Sequence, residues 1–420
     1  MSGVLRMAPS PTGWLHIGLA RTFLFNWLYA SGHDAELRLR IENTDTGREV
    51  EHAVEQIQDS LRWLGIDWEG DVTYQLDRAA ESRAAAERLV EEGTAYRDEG
   101  AIRFRMPDEG VTAYDDLVLG RIEVRNDQLE DLVIVRSDGR PTYNFVSPLE
   151  DMLDGVTHVV RGMDHVSNTP KQIQILRALG ADIPRYAHVP MVNGPDGKPL
   201  SKRHGAQSVG ESRELGYLPE ALVNFLALLG WSYDDKTTIM SRDELVERFS
   251  FDRVQPSPAT FDYDKLDWMN GVYMRALPAE QFAGRLVAYV REQALDWDEQ
   301  LVRRSAPLVQ EKLSRLVEFP SFAGFLFDDV EPDPTLLDGG TAVVRAARDA
   351  LADTEPFTAD RIEDTLRSLA ERLELSPRRA FGPIRVAVTG SKVSPGLFES
   401  LELLGKERAL SRLSAAEEAA

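Results

Sequence analysis

The alternation of apolar segments along the first half of this 420-residue chain limits its fold more than any single residue does. Val4 to Ala8 is a short apolar run ending in Pro9-Ser10-Pro11-Thr12-Gly13, and apolar residues then recur at helical spacing from Ile17 to Ala30, ahead of Gly32. Leu37, Leu39 and Ile41 alternate with Arg38, Arg40 and Glu42 as in a strand, while Val54, Ile57, Leu61 and Leu64 return to helical spacing before Gly65. Strand, helix, strand, helix predicts a parallel, doubly wound α/β sheet, because parallel neighbours need a crossover and a helix supplies it.

The pattern changes after a helix around Ala79 to Glu92. Short strands follow, including Ala101 to Arg105 and Leu132 to Arg136, with Ser137-Asp138-Gly139-Arg140 as a hairpin turn, and this stretch reads as an insertion. The α/β alternation returns with Val156 to Arg161, a helix capped by Asn168 or Thr169 and ending at Gly180, then Ala187 to Val192. Beyond Leu218 nearly every segment is helical, with Pro256, Pro258, Pro278 and Glu331-Pro332-Asp333-Pro334 as joints. The expected division is a Rossmann-like core at 1-95 and 146-200, an insertion at 96-145, a connecting region at 201-277 and a helical arm at 278-420.

Composition narrows the function classes. A hydrophobic content of 43% with no apolar run near 18 residues, and an N-terminus without a signal-peptide core, lead us to expect a cytoplasmic protein. Without cysteine there is no disulfide, thiol nucleophile or thiolate zinc site, and the seven histidines lack metal-ligand spacing, so no resident metal is expected. Magnesium entering with a nucleotide stays open. A net charge of -22 argues against a uniformly basic nucleic-acid binder and leaves room for local basic faces.

Two segments carry chemistry. His16-Ile17-Gly18-Leu19 opens the first helix just outside the carboxyl end of the first strand, where open α/β sheets bind ligands and a helix N-terminus favours phosphate. His16 can donate to phosphate oxygens, and Gly18 leaves room for a purine against the backbone. The loop Asn193 to Gly205 brings Lys198, Ser201, Lys202 and Arg203, which can close on a triphosphate and neutralise charge on leaving pyrophosphate. Each has an ordinary reading, as a cap and as a solvated turn. Together they predict ATP-dependent activation of a small carboxylate.

At these residues the sequence resembles the class I aminoacyl-tRNA synthetases, with His16-Ile17-Gly18-Leu19 like the HIGH signature and Pro199-Leu200-Ser201-Lys202-Arg203 like the KMSKS signature. Ala8 to Gly13, Arg40 to Asp45, Arg136 to Phe145, Thr157 to Pro170, Phe261 to Gly271 and Val386 to Arg408 resemble the bacterial-type glutamyl-tRNA synthetase family. That resemblance implies a glutamate pocket of Arg6, Ala8, Ser10, Glu42, Tyr143, Ser147 and Arg161. Arg6 and Arg161 would read the side-chain carboxylate, for which guanidinium is suited, and Glu42 the α-ammonium. It implies an ATP site of Pro9, His16, Gly18, Asp164, His165 and Lys202, with His16, Gly18, Ser201 and Lys202 acting on the reaction. It further implies Mg2+ with ATP, tRNA(Glu) as acceptor, a zinc-free shortened acceptor-binding insertion, a stem-contact region, an anticodon-binding arm and a monomer.

The chain departs from the family pattern at Leu19, Met163, Ser147 and Pro199. A non-discriminating enzyme that also charges tRNA(Gln), and a non-catalytic tRNA-binding relative, stay open as alternatives. A truncated queuosine-modifying paralogue is disfavoured by the long helical half, and a glutaminyl enzyme by Arg6 and Arg161. Arg303, Arg304, Arg315, Arg378, Arg379, Arg385 and Lys392 are candidates for basic faces, or else ordinary solvated helix charges.

Overall fold

The computed structural model describes residues 3-44, 50-200, 208-331, 333-337 and 339-419. It falls into two compact units, one of residues 1-214 and 219-266, the other of 215-218 and 267-420.

The first unit opens with strand β1 (Val4–Met7), helix α1 (Ile17–Gly32), β2 (Glu36–Ile41), α2 (Ala53–Leu64) and β3 (Thr73–Tyr74). These strands form a parallel sheet in the order β1-β2-β3. α3 (Ala79–Glu91) leads to β4 (Ala95–Asp98), β5 (Ala101–Phe104), the hairpin β6 (Val111–Asp116) and β7 (Gly120–Arg125), and β8 (Leu132–Val135). Then come α4 (Tyr143–Leu153), β9 (His158–Gly162), α5 (Thr169–Ala178), β10 (Arg185–Val189) and the short β11 (Val192–Asn193). α6 (Val209–Glu214), α7 (Pro219–Ala227), α8 (Arg242–Arg248), β12 (Ala259–Thr260) and α9 (Tyr263–Ala276) follow, and the boundary between the units falls inside α9.

The start of β9 lies beside β1, where the Thr157 N–H donates to the Val4 carbonyl at 2.9 Å. From β1 the chain winds outward to β2, and from β9 outward to β10, so the winding reverses between β1 and β9. Ligands collect at such a switch point, outside the carboxyl ends of the strands. α1 packs on β1, β2 and β9 and is covered by α7 and α8, so it buries residues all round, Arg21 and Asn26 included. Burial lowers the Arg21 pKa to about 10, and its Nη1 caps the Leu229 carbonyl at 3.1 Å.

The expected α/β core is present, with four differences in detail. The hairpin β6–β7, unread in the sequence, joins β10 and β9 in a four-stranded sheet, β6 running parallel to β10 through Tyr186 and Asp116, while β4, β5 and β8 form a separate antiparallel sheet. The turn after β8 returns through a single bridge between Val135 and Pro141 before α4 begins. Asn168 stands at the start of α5, but its side chain makes no capping bond because its own backbone is already helical. Arg40 alternates with apolar residues as though solvent-facing, yet it is 1% exposed, held inside by carboxylates.

The second unit continues through α10 (Ala279–Glu292), α11 (Glu299–Val309), α12 (Phe319–Ala323), α13 (Thr341–Ala352), α14 (Ala359–Arg372), α15 (Pro377–Thr389), α16 (Leu397–Leu404) and α17 (Lys406–Ala419). Its helices pack through apolar stripes; in α14 these are Ile362, Leu366, Leu369 and Ala370, one face at helical spacing. No helix among the described residues is long and apolar enough to cross a membrane.

Candidate active site

β1 and β9 each deliver one arginine at the switch point, and the two differ in what surrounds them. Arg6 is buried against Asp151, its Nε 3.0 Å from Oδ1 and its Nη2 3.3 Å from Oδ2. Arg161 is 6% exposed and, among the described residues, meets only neutral acceptors. Its Nε donates to His188 Nε2 at 3.2 Å, Nη1 to Gln172 Oε1 at 2.8 Å and Nη2 to Thr169 Oγ1 at 2.7 Å. None of these three hydrogen-bond partners cancels its positive charge, which leaves the guanidinium able to favour an incoming anion.

α4 lines the same place. Tyr143, Ser147 and Asp151 are four residues apart and share one helix face. The Tyr143 hydroxyl is 3.3 Å from His165 Nδ1, and the buried Ser147 hydroxyl has no hydrogen-bond partner among the described residues. Glu42 leaves β2 with its N–H bonded to the Pro9 carbonyl at 2.9 Å, which lays the segment after β1 along the end of β2. Burial raises the Glu42 carboxyl against the opposing pull of Arg40, Arg6 and Arg161. Burial also raises the Tyr143 hydroxyl, on which Glu42, Arg161 and Arg6 act in turn. Arg6, Glu42, Tyr143, Arg161 and His165 thus stand within one electrostatic neighbourhood.

Behind it lies a network absent from the sequence reading. Arg40 sits 2.8 Å from Asp151, 3.1 Å from Glu150, 3.2 Å from Asp154 and 3.8 Å from Glu42. Arg78 adds a bond to Asp154 at 2.7 Å, and Gln75 one to Glu150 at 3.0 Å. Burial alone would raise Asp151, but Arg6 and Arg40 outweigh it and hold the carboxyl below its ordinary range. Burial wins at Glu150, pushed up to about 7 despite Arg40. The signal was legible: Glu150 and Asp151 stand among Phe145, Val146, Leu149 and Met152 in one short helix, and carboxylates in apolar company need cations.

At the start of α1, His16 is exposed and holds the N-cap position without a side-chain capping bond, and its backbone bridges Ser208. A methyl group built at Gly18 would meet nothing within 4 Å among the described residues. Pro9 is buried, Ala8 half-buried and Ser10 exposed. Gly162 has an extended backbone, and a Cβ there would lie 2.3 Å from Asp164 Oδ1, the end of an exposed side chain. Asp164 is exposed beside His165, whose pKa burial lowers although Asp164 opposes it. Among the described residues, no side-chain hydrogen bond ties His16 or Ser10 to the arginine cluster. Lys198 belongs to a tight turn in which its carbonyl accepts from the Gly194 N–H at 2.7 Å, and Pro199 bridges Asn193. Ser201, Lys202 and Arg203 lie outside the described residues, as does Asp45.

Two family models match the chain: tRNA synthetases class I (E and Q), catalytic domain, over residues 4–101 and 99–268, and an anticodon binding domain over 281–417. The chain belongs to the class I tRNA synthetases of the E and Q group. This synthetase is 40% identical to a glutamate--tRNA ligase of Dehalococcoides mccartyi, across 98% of the chain and 96% of that protein. It is 42% identical to one of Thermodesulfovibrio yellowstonii, across 97% and 98%. Among solved structures it superposes on a glutamate tRNA ligase from Elizabethkingia meningosepticum in complex with its amino acid, with a TM-score of 0.84, 26% identity and coverage of 100% and 99%.

The basic candidates in the synthetase's second unit separate into two groups. Arg303 pairs with Glu299 at 3.0 Å, Arg315 with Asp267 and Glu318 at 3.5 Å each, and Arg385 donates to the Pro395 carbonyl at 2.7 Å. These three are partnered within the protein, Arg315 and Arg385 half-buried and Arg303 in an exposed surface pair. Arg304, Arg378, Arg379 and Lys392 are exposed.

Proposed function

We propose that this synthetase is a glutamate-tRNA ligase: it activates L-glutamate with ATP and transfers it to the 3' end of tRNA(Glu). The observation that carries the substrate is the buried Arg161 guanidinium with only neutral partners, facing the same neighbourhood as Arg6, Glu42 and Tyr143. An anionic side chain completes such a site, whereas a neutral amide leaves the charge unpaired. Arg6 is partly neutralised by Asp151, so Arg161 is the stronger reader of the side-chain carboxylate. Glu42 receives the α-ammonium, and the orphan Ser147 hydroxyl, with Ala8 and Ser10, completes the pocket.

In this reading ATP lies over the start of α1, with the purine against Gly18, the phosphates near His16 and Lys202, and Pro9, Asp164 and His165 around the nucleoside. The α-carboxylate of glutamate attacks the α-phosphorus and pyrophosphate leaves. Ser201 and Lys202 stabilise the charge on that pyrophosphate, and the terminal tRNA hydroxyl then attacks the acyl carbonyl and displaces AMP. Mg2+ would be carried by the triphosphate oxygens, adding positive charge there. Residues 96-145 are assigned to the tRNA acceptor end, 201-277 to the stem and 278-420 to the anticodon, in a cytoplasmic monomer.

The test is to incubate the protein with ATP, labelled glutamate or glutamine, and purified tRNA(Glu) or tRNA(Gln). Glutamate on tRNA(Glu) is expected. No glutamate on either tRNA would refute the reading, and equal charging of both would make the enzyme non-discriminating.

A further inference from the structure

A buried chain of contacts stands behind Arg161. Asp116 ends β6, His188 lies on β10, and neither side chain has any exposure. Asp116 Oδ2 is 2.6 Å from His188 Nδ1, while its Oδ1 accepts from the Val118 and Leu119 N–H groups, both at 2.9 Å. An ionised carboxylate only accepts, so Nδ1 carries the proton. From the other side, Arg161 Nε can only donate, so His188 Nε2 accepts. The tautomer is therefore set independently from both ends. Burial lowers the His188 pKa more than Asp116 raises it, which keeps the ring neutral.

We propose that Asp116 and His188 are positioning residues for amino-acid selection: Asp116 locks His188 in the tautomer that accepts from Arg161, fixing the guanidinium without neutralising it. This rests on the assignment of Arg161 to the substrate's side-chain carboxylate. The contrast with Arg6 gives the physical reason. A carboxylate partner, such as Asp151 for Arg6, fixes a guanidinium but competes with an anionic substrate; a neutral imidazole fixes it and does not compete. Asp116 is supplied by the hairpin β6–β7, so that hairpin supports the pocket from behind.

The decisive variant is Asp116→Asn. Its carbonyl can keep the bonds to Val118 and Leu119, which turns the amide toward His188 Nδ1 and moves the ring proton to Nε2, donor against donor at Arg161. The expected result is a rise of about tenfold or more in KM for glutamate, a loss of about 1.4 kcal/mol in binding. KM for ATP should stay within about twofold, and the His188 signals in 15N-histidine-labelled protein should switch tautomer. A switched tautomer with unchanged KM for glutamate would overturn the proposal. Should Asp116→Asn fail to fold, His188→Gln and His188→Glu decide. Gln, a neutral acceptor, should hold KM near wild type while Glu raises it, and equal KM in the two would overturn the proposal. Arg161→Ala separates the underlying assignment: if it leaves KM for glutamate unchanged, that assignment fails first. If it raises KM and the Asp116 and His188 variants do not, only the relay fails.

Discussion

Arg6 and Asp151 form a two-pronged ion pair inside the protein, with Nε–Oδ1 at 3.0 Å and Nη2–Oδ2 at 3.3 Å and both side chains nearly free of solvent. Asp151 also holds Arg40 at 2.8 Å, so one carboxylate serves two buried guanidinium groups. Asp151→Ala would strand both. We expect a stability loss of about 3–5 kcal/mol by urea unfolding, the cost of breaking a buried pair rather than of losing its net attraction. A loss below about 1 kcal/mol would show that water reaches the cluster.

The same network gives stability a defined pH dependence. Asp151 is held below the ordinary carboxylate range, so its contribution is present above that range and disappears as pH falls through its native pKa. Glu150 behaves in the opposite sense. Its native pKa is raised to about 7, so the native state keeps a proton that the unfolded chain has already released, and stability falls as pH climbs from the ordinary carboxylate range to 7. Glu150→Gln should match wild type near pH 5 and exceed it by about 1–3 kcal/mol at pH 8.5. A variant less stable than wild type at pH 8.5 would mean that the Glu150 charge is needed by Arg40.

Much of this architecture could be read before any coordinates. The windings around β1, α1 and β2 follow from apolar period alone, which also ends a strand at Arg161, whereas Arg6 is singled out only by the family resemblance. The hairpin β6–β7 is not legible because its residues, such as Asp115, Glu123 and Arg125, are polar on their open face, and β10, which pairs with β6, lies some seventy residues later in the chain. Burial of Arg40, Asp116 and His188 was illegible for a related reason: charged residues are inside only when a distant residue compensates them, and period does not record partners. Arg303 and Arg304 are both exposed, and they differ only in that Arg303 pairs with Glu299 one helical turn away.

Gly18 allows fold and nucleotide binding to be separated. A Cβ there meets no atom of the described residues within 4 Å, so Gly18→Ala should leave stability unchanged or raise it by up to about 1 kcal/mol through helix propensity. If a purine lies against this backbone, KM for ATP should rise severalfold while the melting temperature holds. An unchanged KM for ATP would move the purine elsewhere.

Arg378 and Arg379 occupy the first turn of α15 and are exposed, with no ion pair among the described residues. Replacing both by Ala should weaken tRNA binding and reduce the slope of log affinity against log salt by about 1 to 2. Unchanged affinity and slope would remove this face from the tRNA path.

The central claim is that an uncancelled buried cation selects an anionic amino acid. It is tested most directly by comparing kcat/KM for glutamate and glutamine in tRNA charging, for wild type and for Arg161→Ala. The account predicts that wild type prefers glutamate by at least about 10³-fold and that the variant loses about 10²-fold for glutamate while glutamine changes little. Equal use of the two amino acids by wild type, or an unchanged preference in the variant, would contradict it.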